Sequence, residues 1–235
     1  MFVVEGPHLL AHALDRRVPI DTVFVATDAA PPVAALAELA RGNGAAVEHL
    51  AAGLAARVGD TVTSQGVFAV VRRVERAQER LRDATFVVVA EQVSDPGNAG
   101  TLWRSAAAAG ADLFVLGAGS VDAYNPKLVR ATAGACFSVP VLEDVDVAGV
   151  LEECGANGLL RAGAVVEGGR PLDRVDLTRP CVLVLGHEAR GLTAGLPLDA
   201  AVTIPMTAGT ESLNVAMAGT VLCFEVARQR RSAAR

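Results

Sequence analysis

The sequence predicts an α/β protein in which a small mixed unit precedes a larger unit built on a parallel sheet. Three observations predict this. Hydrophobic spacing alternates between helical and strand periods along the 235 residues. Three aliphatic runs, 85–90, 112–116 and 181–185, have the β-branched character of strands buried on both faces. Between the two parts lies a charged stretch, 75–83, in which Leu81 is the sole large aliphatic side chain.

Taken in order, residues 8–16 read as a short amphipathic helix, 22–26 as a buried strand, and 31–42 as an Ala-rich helix closed by Gly42 and Gly44. Residues 47–50 and 66–71 read as further strands. Beyond the charged stretch, helices are expected over 102–109, 126–135 and 147–154. They alternate with the three aliphatic strands as a parallel sheet requires.

At 51% hydrophobic and 20% charged, the chain is apolar and long enough to bury a core. No run approaches the roughly 20 apolar residues of a membrane span. Residues 1–7 carry Glu5 where an export signal has a basic start, so a soluble cytoplasmic protein with no membrane partner is expected. Cys136, Cys154, Cys181 and Cys223 are scattered among aliphatic neighbours and read as buried thiols. His8, His12, His49 and His187 are not grouped with them, so no metal is expected, and His8 and His12 read as a surface pair. A formal net charge of −5 argues against a general nucleic-acid coat but permits a local basic groove. Arginines bunch at Arg72 and Arg73, at Arg76, Arg80 and Arg82, and at Arg228, Arg230 and Arg231. The middle group alternates with Glu75 and Glu79 and reads as a solvated helical linker; the last group is less readily explained that way.

Ligands of open parallel sheets bind at loops leaving the carboxyl ends of the strands. The first such loop, Ser94-Asp95-Pro96-Gly97-Asn98-Ala99-Gly100, is a turn leading into a helix that carries Arg104. A guanidinium near a helix N-terminus suits a phosphate or carboxylate. In the second, Leu185-Gly186-His187-Glu188-Ala189-Arg190-Gly191-Leu192, two glycines let backbone approach a ligand while Glu188 offers an acceptor. The third, from Ile204-Pro205-Met206 to Ser212-Leu213-Asn214, opens the last helix, with Ser212 as expected N-cap and Leu213, Met217 and Phe224 on one face. Gly117-Ala118-Gly119 lacks the third glycine of a dinucleotide fingerprint, and a nicotinamide enzyme is a poor fit.

Jointly, these loops resemble the three signature motifs of the SpoU, or TrmH-like, RNA ribose methyltransferases of the SPOUT superfamily. Asp95-Pro96-Gly97-Asn98 with Arg104 resembles the first motif, Leu185-Gly186-x-Glu188-x-x-Gly191-Leu192 the second, and Ile204-Pro205-Met206 with Ser212-Leu213-Asn214-Val215-Ala216 the third. Ser120-Val121-Asp122 and Asn125-Pro126-Lys127 with Arg130 match a further family segment. At the front, Val4-Glu5-Gly6 and Gln65-Gly66-Val67-Phe68-Ala69-Val70 are similar to the family's ribosomal-protein-like substrate-binding domain. The chain starts almost at the Glu5-Gly6 pair, before which relatives usually carry a basic segment, so either weaker RNA binding or a shortened start is expected.

The resemblance implies an RNA substrate-binding domain at 1–76, a linker at 77–84 and a parallel-sheet SPOUT methyltransferase domain with a deep trefoil knot at 85–235. It implies S-adenosyl-L-methionine (AdoMet) as cofactor, held by Leu185, Gly186, Gly191, Ile204, Met206 and Leu213. It implies Arg104, assisted by Asn98, Ser212, Asn214 and Glu188, as the catalytic group, and a homodimer, for which Val221, Leu222 and Val226 are the apolar residues left over on the last helix. A guanidinium, which holds its proton far above neutral pH, is a poor general base. Two roles therefore stay open for Arg104: a base in a dry site that lowers its pKa, or a clamp on the neighbouring RNA phosphate. His187 stands where relatives often have Asn or Ala and is not assigned to catalysis. The substrate expected is ribosomal RNA, 23S first, ahead of transfer RNA. A catalytically silent RNA-binding or ribosome-assembly factor and a base-nitrogen methyltransferase are the rival readings.

Overall fold

The structure, a computed structural model, describes residues 1–59, 64–73, 77–207 and 211–234. Its contacts divide the chain into two compact units, Met1–Glu75 with Tyr124–Ser138, and Arg76–Ala123 with Val139–Arg235.

The first unit runs β1 (Phe2–Glu5), α1 (Pro7–Asp15), β2 (Ile20–Ala26), α2 (Pro31–Gly42), β3 (Ala46–Leu50), α3 (Leu54–Val58) and β4 (Val67–Val71). Its sheet has the order β1-β4-β2-β3, with β4 antiparallel to both neighbours and β2 parallel to β3. Proline opens both α1 and α2, where a missing N–H costs no helical hydrogen bond. Each helix buries one stripe: Leu9, Leu10 and Ala13 on α1, and Val33, Ala37 and Ala40 on α2. The rings of His8 and His12 meet edge-on, with centroids 4.6 Å apart.

The second unit carries α4 (Ala77–Asp83), β5 (Phe86–Ala90), α5 (Pro96–Ala109) and β6 (Leu113–Gly117). After α6 (Pro126–Ala131), which belongs to the first unit, come β7 (Val141–Val145), α7 (Val147–Ala156), β8 (Leu160–Ala164), β9 (Arg170–Pro171), β10 (Cys181–Leu185), β11 (Ala200–Thr203) and α8 (Val215–Ala233). Seven strands form one parallel sheet in the order β7-β6-β5-β10-β8-β11-β9. Every residue of β5, β6 and β10 is buried, as the aliphatic runs predict. On one face, α5 and α8 pack closely: Ser105 Oγ and Thr220 Oγ1 are 2.7 Å apart, and a Cβ on Gly219 would lie 2.2 Å from Leu102 Cδ1. Trp103 stacks on Phe114 with centroids 5.3 Å apart and donates from Nε1 to Val139 O at 3.1 Å.

Several elements differ from the sequence reading. The stretch read as a solvated helical linker is helical over α4, but it is not wholly solvated: Leu81 is fully buried in the second unit's core, and one anchored leucine suffices to dock a short charged helix. Strands β7, β8, β9 and β11 were not anticipated, since Glu143 and Asp144 interrupt β7, Arg161 and Gly163 interrupt β8, and β9 and β11 are only two and four residues long. Helix α6 ends at Ala131 because Ala133 and Gly134 take left-handed φ of 48° and 92°. On α8 the buried face is Val215, Ala216, Gly219, Leu222, Cys223, Val226 and Ala227, so Leu222 and Val226 are not left over. Met217, Val221 and Phe224 are the exposed apolar residues of that helix.

All four cysteines are buried and free, and burial pushes the thiol of Cys223 up to about 12 and those of Cys136, Cys154 and Cys181 to about 11. Near the start of β8, Arg161 donates from Nη2 to Asp199 Oδ1 at 2.6 Å, and this pairing holds the Asp199 carboxyl down to about 2. Of the C-terminal arginines, Arg228 pairs with Glu225 at 2.7 Å, and Arg230 donates to the carbonyls of Thr85 and Arg179 at 2.8 and 3.1 Å. The basic group at the C-terminus is thus largely engaged within the second unit. Arg76 and Glu75 of the middle group lie outside the described residues. Among the described residues, no helix is long and apolar enough to cross a membrane, and no group of three His, Cys, Asp or Glu stands where it could hold a metal.

Candidate active site

Because all seven strands of the second sheet are parallel, their carboxyl-end loops gather at one edge. Four of them build the site. After β5, Asp95 caps α5 by accepting from Asn98 N at 2.7 Å, with Pro96 in the first turn. After β10, the chain closes on itself: His187 N donates to Gly191 O at 3.1 Å and Gly191 N returns to His187 O at 2.8 Å. Gly191 takes a φ of +68°, and a Cβ on Gly186 would stand 2.4 Å from the carbonyl carbon and oxygen of Gly191. His187 Nδ1 accepts from Ala189 N at 3.0 Å, a role internal to the loop. After β8, Val165 N donates to Val202 O at 2.9 Å, and Thr203 Oγ1 donates to Val166 O at 2.8 Å. The loop after β11 leads into α8; its residues 208–210 lie outside the described ones.

A pocket of about 420 Å³ lies among these loops, within the range of cofactor sites. Leu185, Gly186, Gly191, Ile204, Met206 and Leu213, the positions expected to hold a cofactor, all line it. Glu188 and Ser212 line it too, and so do Ala164 to Val166 after β8, which the sequence reading missed. The wall is thus apolar side chains and glycine backbone with a few polar groups. A flat base and a methionine-like chain need such a wall, with main-chain groups free to hydrogen-bond.

Beside the pocket, three expected site residues form a hydrogen-bonded chain of two amides and a carboxylate. Asn98 Nδ2 donates to Glu188 Oε1 at 3.0 Å, and Asn214 Nδ2 donates to Asn98 Oδ1 at 3.0 Å. Asn214 Oδ1 accepts from Ala216 N and Met217 N at 2.9 and 3.3 Å, so Asn214, not Ser212, caps α8. Asn98 therefore ties all three motif loops together, which its turn-forming character did not reveal. Both its amide ends are used, a geometry no carboxylate at that position reproduces beside Glu188. Ser212 is exposed. Arg104, further along α5, is exposed and outside the pocket wall, and makes no hydrogen bond or ion pair among the described residues.

Comparisons with known proteins bear on the family. A family model described as the SpoU rRNA Methylase family matches residues 85–224, and one described as RNA 2′-O ribose methyltransferase substrate binding matches residues 3–77. The chain is 31% identical over 227 residues to the 23S rRNA (guanosine(2553)-2′-O)-methyltransferase RlmP of Bacillus subtilis (strain 168), covering 96% of this chain and 88% of that protein. It is 31% identical over 159 residues to the 23S rRNA (uridine(2479)-2′-O)-methyltransferase of Streptomyces viridochromogenes, covering 65% and 55%. Among solved structures, the SpoU methyltransferase AviRb from Streptomyces viridochromogenes in complex with AdoMet superposes with a TM-score of 0.87 at 28% identity, over 98% of this chain and 91% of that one. An AdoMet-bound rRNA methyltransferase from Sinorhizobium meliloti gives a TM-score of 0.81 at 28% identity, over 97% and 87%.

Proposed function

The chain belongs to the SpoU rRNA methylase family, and we infer from that premise that it transfers the methyl group of AdoMet to a ribose 2′-hydroxyl of 23S rRNA. The observation that carries this reading is the pocket itself. It is glycine-floored and apolar-walled, and it lies where the loops after β5, β8, β10 and β11 meet, in a chain that superposes almost end to end on an AdoMet-bound relative.

When bound, AdoMet would supply a sulfonium methyl; its transfer to the ribose 2′-oxygen would leave S-adenosylhomocysteine, and the proton of the 2′-hydroxyl would pass to water. The work left to the protein is binding and aim. Leu185, Gly186, Gly191, Ile204, Met206 and Leu213 hold the cofactor by shape and main chain. Asn98, Asn214 and Glu188 keep the three loops in register, and Ser212 lies at the pocket wall. Arg104, without a hydrogen bond or ion pair among the described residues, holds the phosphate beside the target nucleotide and so fixes the 2′-oxygen. Its exposure favours the clamp, because an open guanidinium keeps its planar fork of donors available to phosphate oxygens. Alignment of this kind is worth several kcal/mol of barrier. The test is incubation of the full chain with labelled AdoMet and total RNA, followed by mapping of alkali-resistant linkages. Label in 23S rRNA at one resistant position is the expected result; label confined to transfer RNA, or none, would overturn the assignment.

The same reading includes a homodimer and a deep trefoil knot in residues 85–235. Met217, Val221 and Phe224, at 55%, 42% and 43% exposure along α8, are the surface that supports the dimer. Sedimentation equilibrium should give twice the chain mass, and Phe224→Glu should give a monomer; a monomeric wild type at micromolar concentration would rule the dimer out. An experimental structure traced from Thr85 to Ala234 is the test for the knot. An rRNA substrate also implies work in the cytoplasm, which fractionation would check.

A further inference from the structure

Strand β5 is wholly apolar, yet two polar residues follow it directly, and both reach across to the loop after β10. Glu91, only 5% exposed, accepts at Oε2 from Thr193 N at 3.1 Å. Gln92 accepts at Oε1 from Arg190 Nη2 at 3.1 Å. Gln92 does so from a φ of +54°, a left-handed conformation that strains a residue bearing a side chain. Glycine would sit there without strain, so the glutamine side chain contributes something its backbone geometry does not. Arg190 in turn lines the pocket, inside the stretch that the paired bonds between His187 and Gly191 close into one piece. Moving Arg190 therefore moves the whole loop, including Gly186 and Glu188 at the pocket wall.

We propose that Gln92 is a positioning residue for the methyl-transfer reaction: through Arg190 it sets the aperture of the loop from Gly186 to Thr193, and thereby the affinity for AdoMet. Glu91, through Thr193, is the second anchor of the same loop. The inference rests on the pocket being the AdoMet site. It assigns the two residues after β5 a part in cofactor binding that none of the three motif loops contains.

The experiment is titration calorimetry of the full chain with AdoMet, alongside thermal unfolding without it. Gln92→Gly removes the contact while relieving the strained φ, and should weaken AdoMet binding about fivefold, the scale of one ordinary solvent-exposed hydrogen bond. The melting temperature should stay within about 3 °C, because relief of strain offsets the larger unfolded-state entropy of glycine. Gln92→Glu, whose carboxylate accepts from the same Nη2, should bind as wild type. Arg190→Ala should match Gln92→Gly, and the double variant should be no worse than either. In turnover assays the loss should appear in KM for AdoMet with kcat unchanged at saturation. Wild-type affinity in Gln92→Gly, or a weakening that Gln92→Glu shares or that tracks a lost melting temperature, would overturn the proposal. Failure of the wild type itself to bind AdoMet would instead overturn the reading of the pocket, and this inference with it.

Discussion

Replacing Arg104 by alanine is expected to lower kcat at least about 100-fold, the scale of losing one positioning or charge-stabilising group, while AdoMet binding stays within about twofold of wild type. The separation follows from where the side chain stands. Arg104 lies outside the pocket wall, so its removal leaves the cofactor's contacts intact. It is exposed and without a hydrogen bond or ion pair among the described residues, so folding loses little either. Arg104→Lys refines the outcome, since an ammonium keeps the charge but not the planar fork. A lysine variant retaining a tenth or so of the activity would point to charge on a phosphate, whereas activity as low as that of alanine would point to the fork geometry. Single-turnover transfer with saturating AdoMet is the measurement; a fully active alanine variant would remove Arg104 from the mechanism.

Gly186→Ala is expected to weaken AdoMet binding about 100-fold, as an overpacking cost near the top of the usual range would do. The added Cβ would meet the carbonyl carbon and oxygen of Gly191 at 2.4 Å and Leu192 N at 2.6 Å. All three are backbone atoms in a loop held by the paired bonds between His187 and Gly191, so no side chain can turn aside to make room. The loop must open, and the pocket loses its floor. Gly191→Ala is the matched control. Its Cβ meets nothing within 4 Å, and only the positive φ of +68° opposes it. That strain is of order 1 kcal/mol, so its effect on binding should be about fivefold. Equal losses in the two variants would mean that conformational strain, not close approach, governs the loop.

The sheet core was readable because β5, β6 and β10 are apolar without interruption, and burial on both faces leaves that mark. Strand β8 was not readable: Arg161 and Gly163 interrupt it, Arg161 because it pairs with Asp199, and Gly163 because a Cβ there would crowd Leu198 and Leu192. The wall that β8 adds to the pocket went unseen for the same reason. The positions expected to hold the cofactor could be named by resemblance, yet their convergence depends on β10 inserting between β5 and β8, a non-local pairing that no periodicity encodes. Likewise the face of α8 was misjudged around Leu222 and Val226, because the helix is apolar on more than one side and its packing on α5 and β10 decides which side is buried. Gln92 and Glu91 carried a legible signal, two polar residues directly after an apolar strand, but their partners lie about a hundred residues away.

The most direct test of the account is to digest RNA methylated by the purified chain to single nucleosides and fragment the labelled product by mass spectrometry. The account predicts that the added methyl stays with the sugar fragment and that the base fragment is unchanged. A methyl retained on the base would contradict it, however well the chain bound AdoMet.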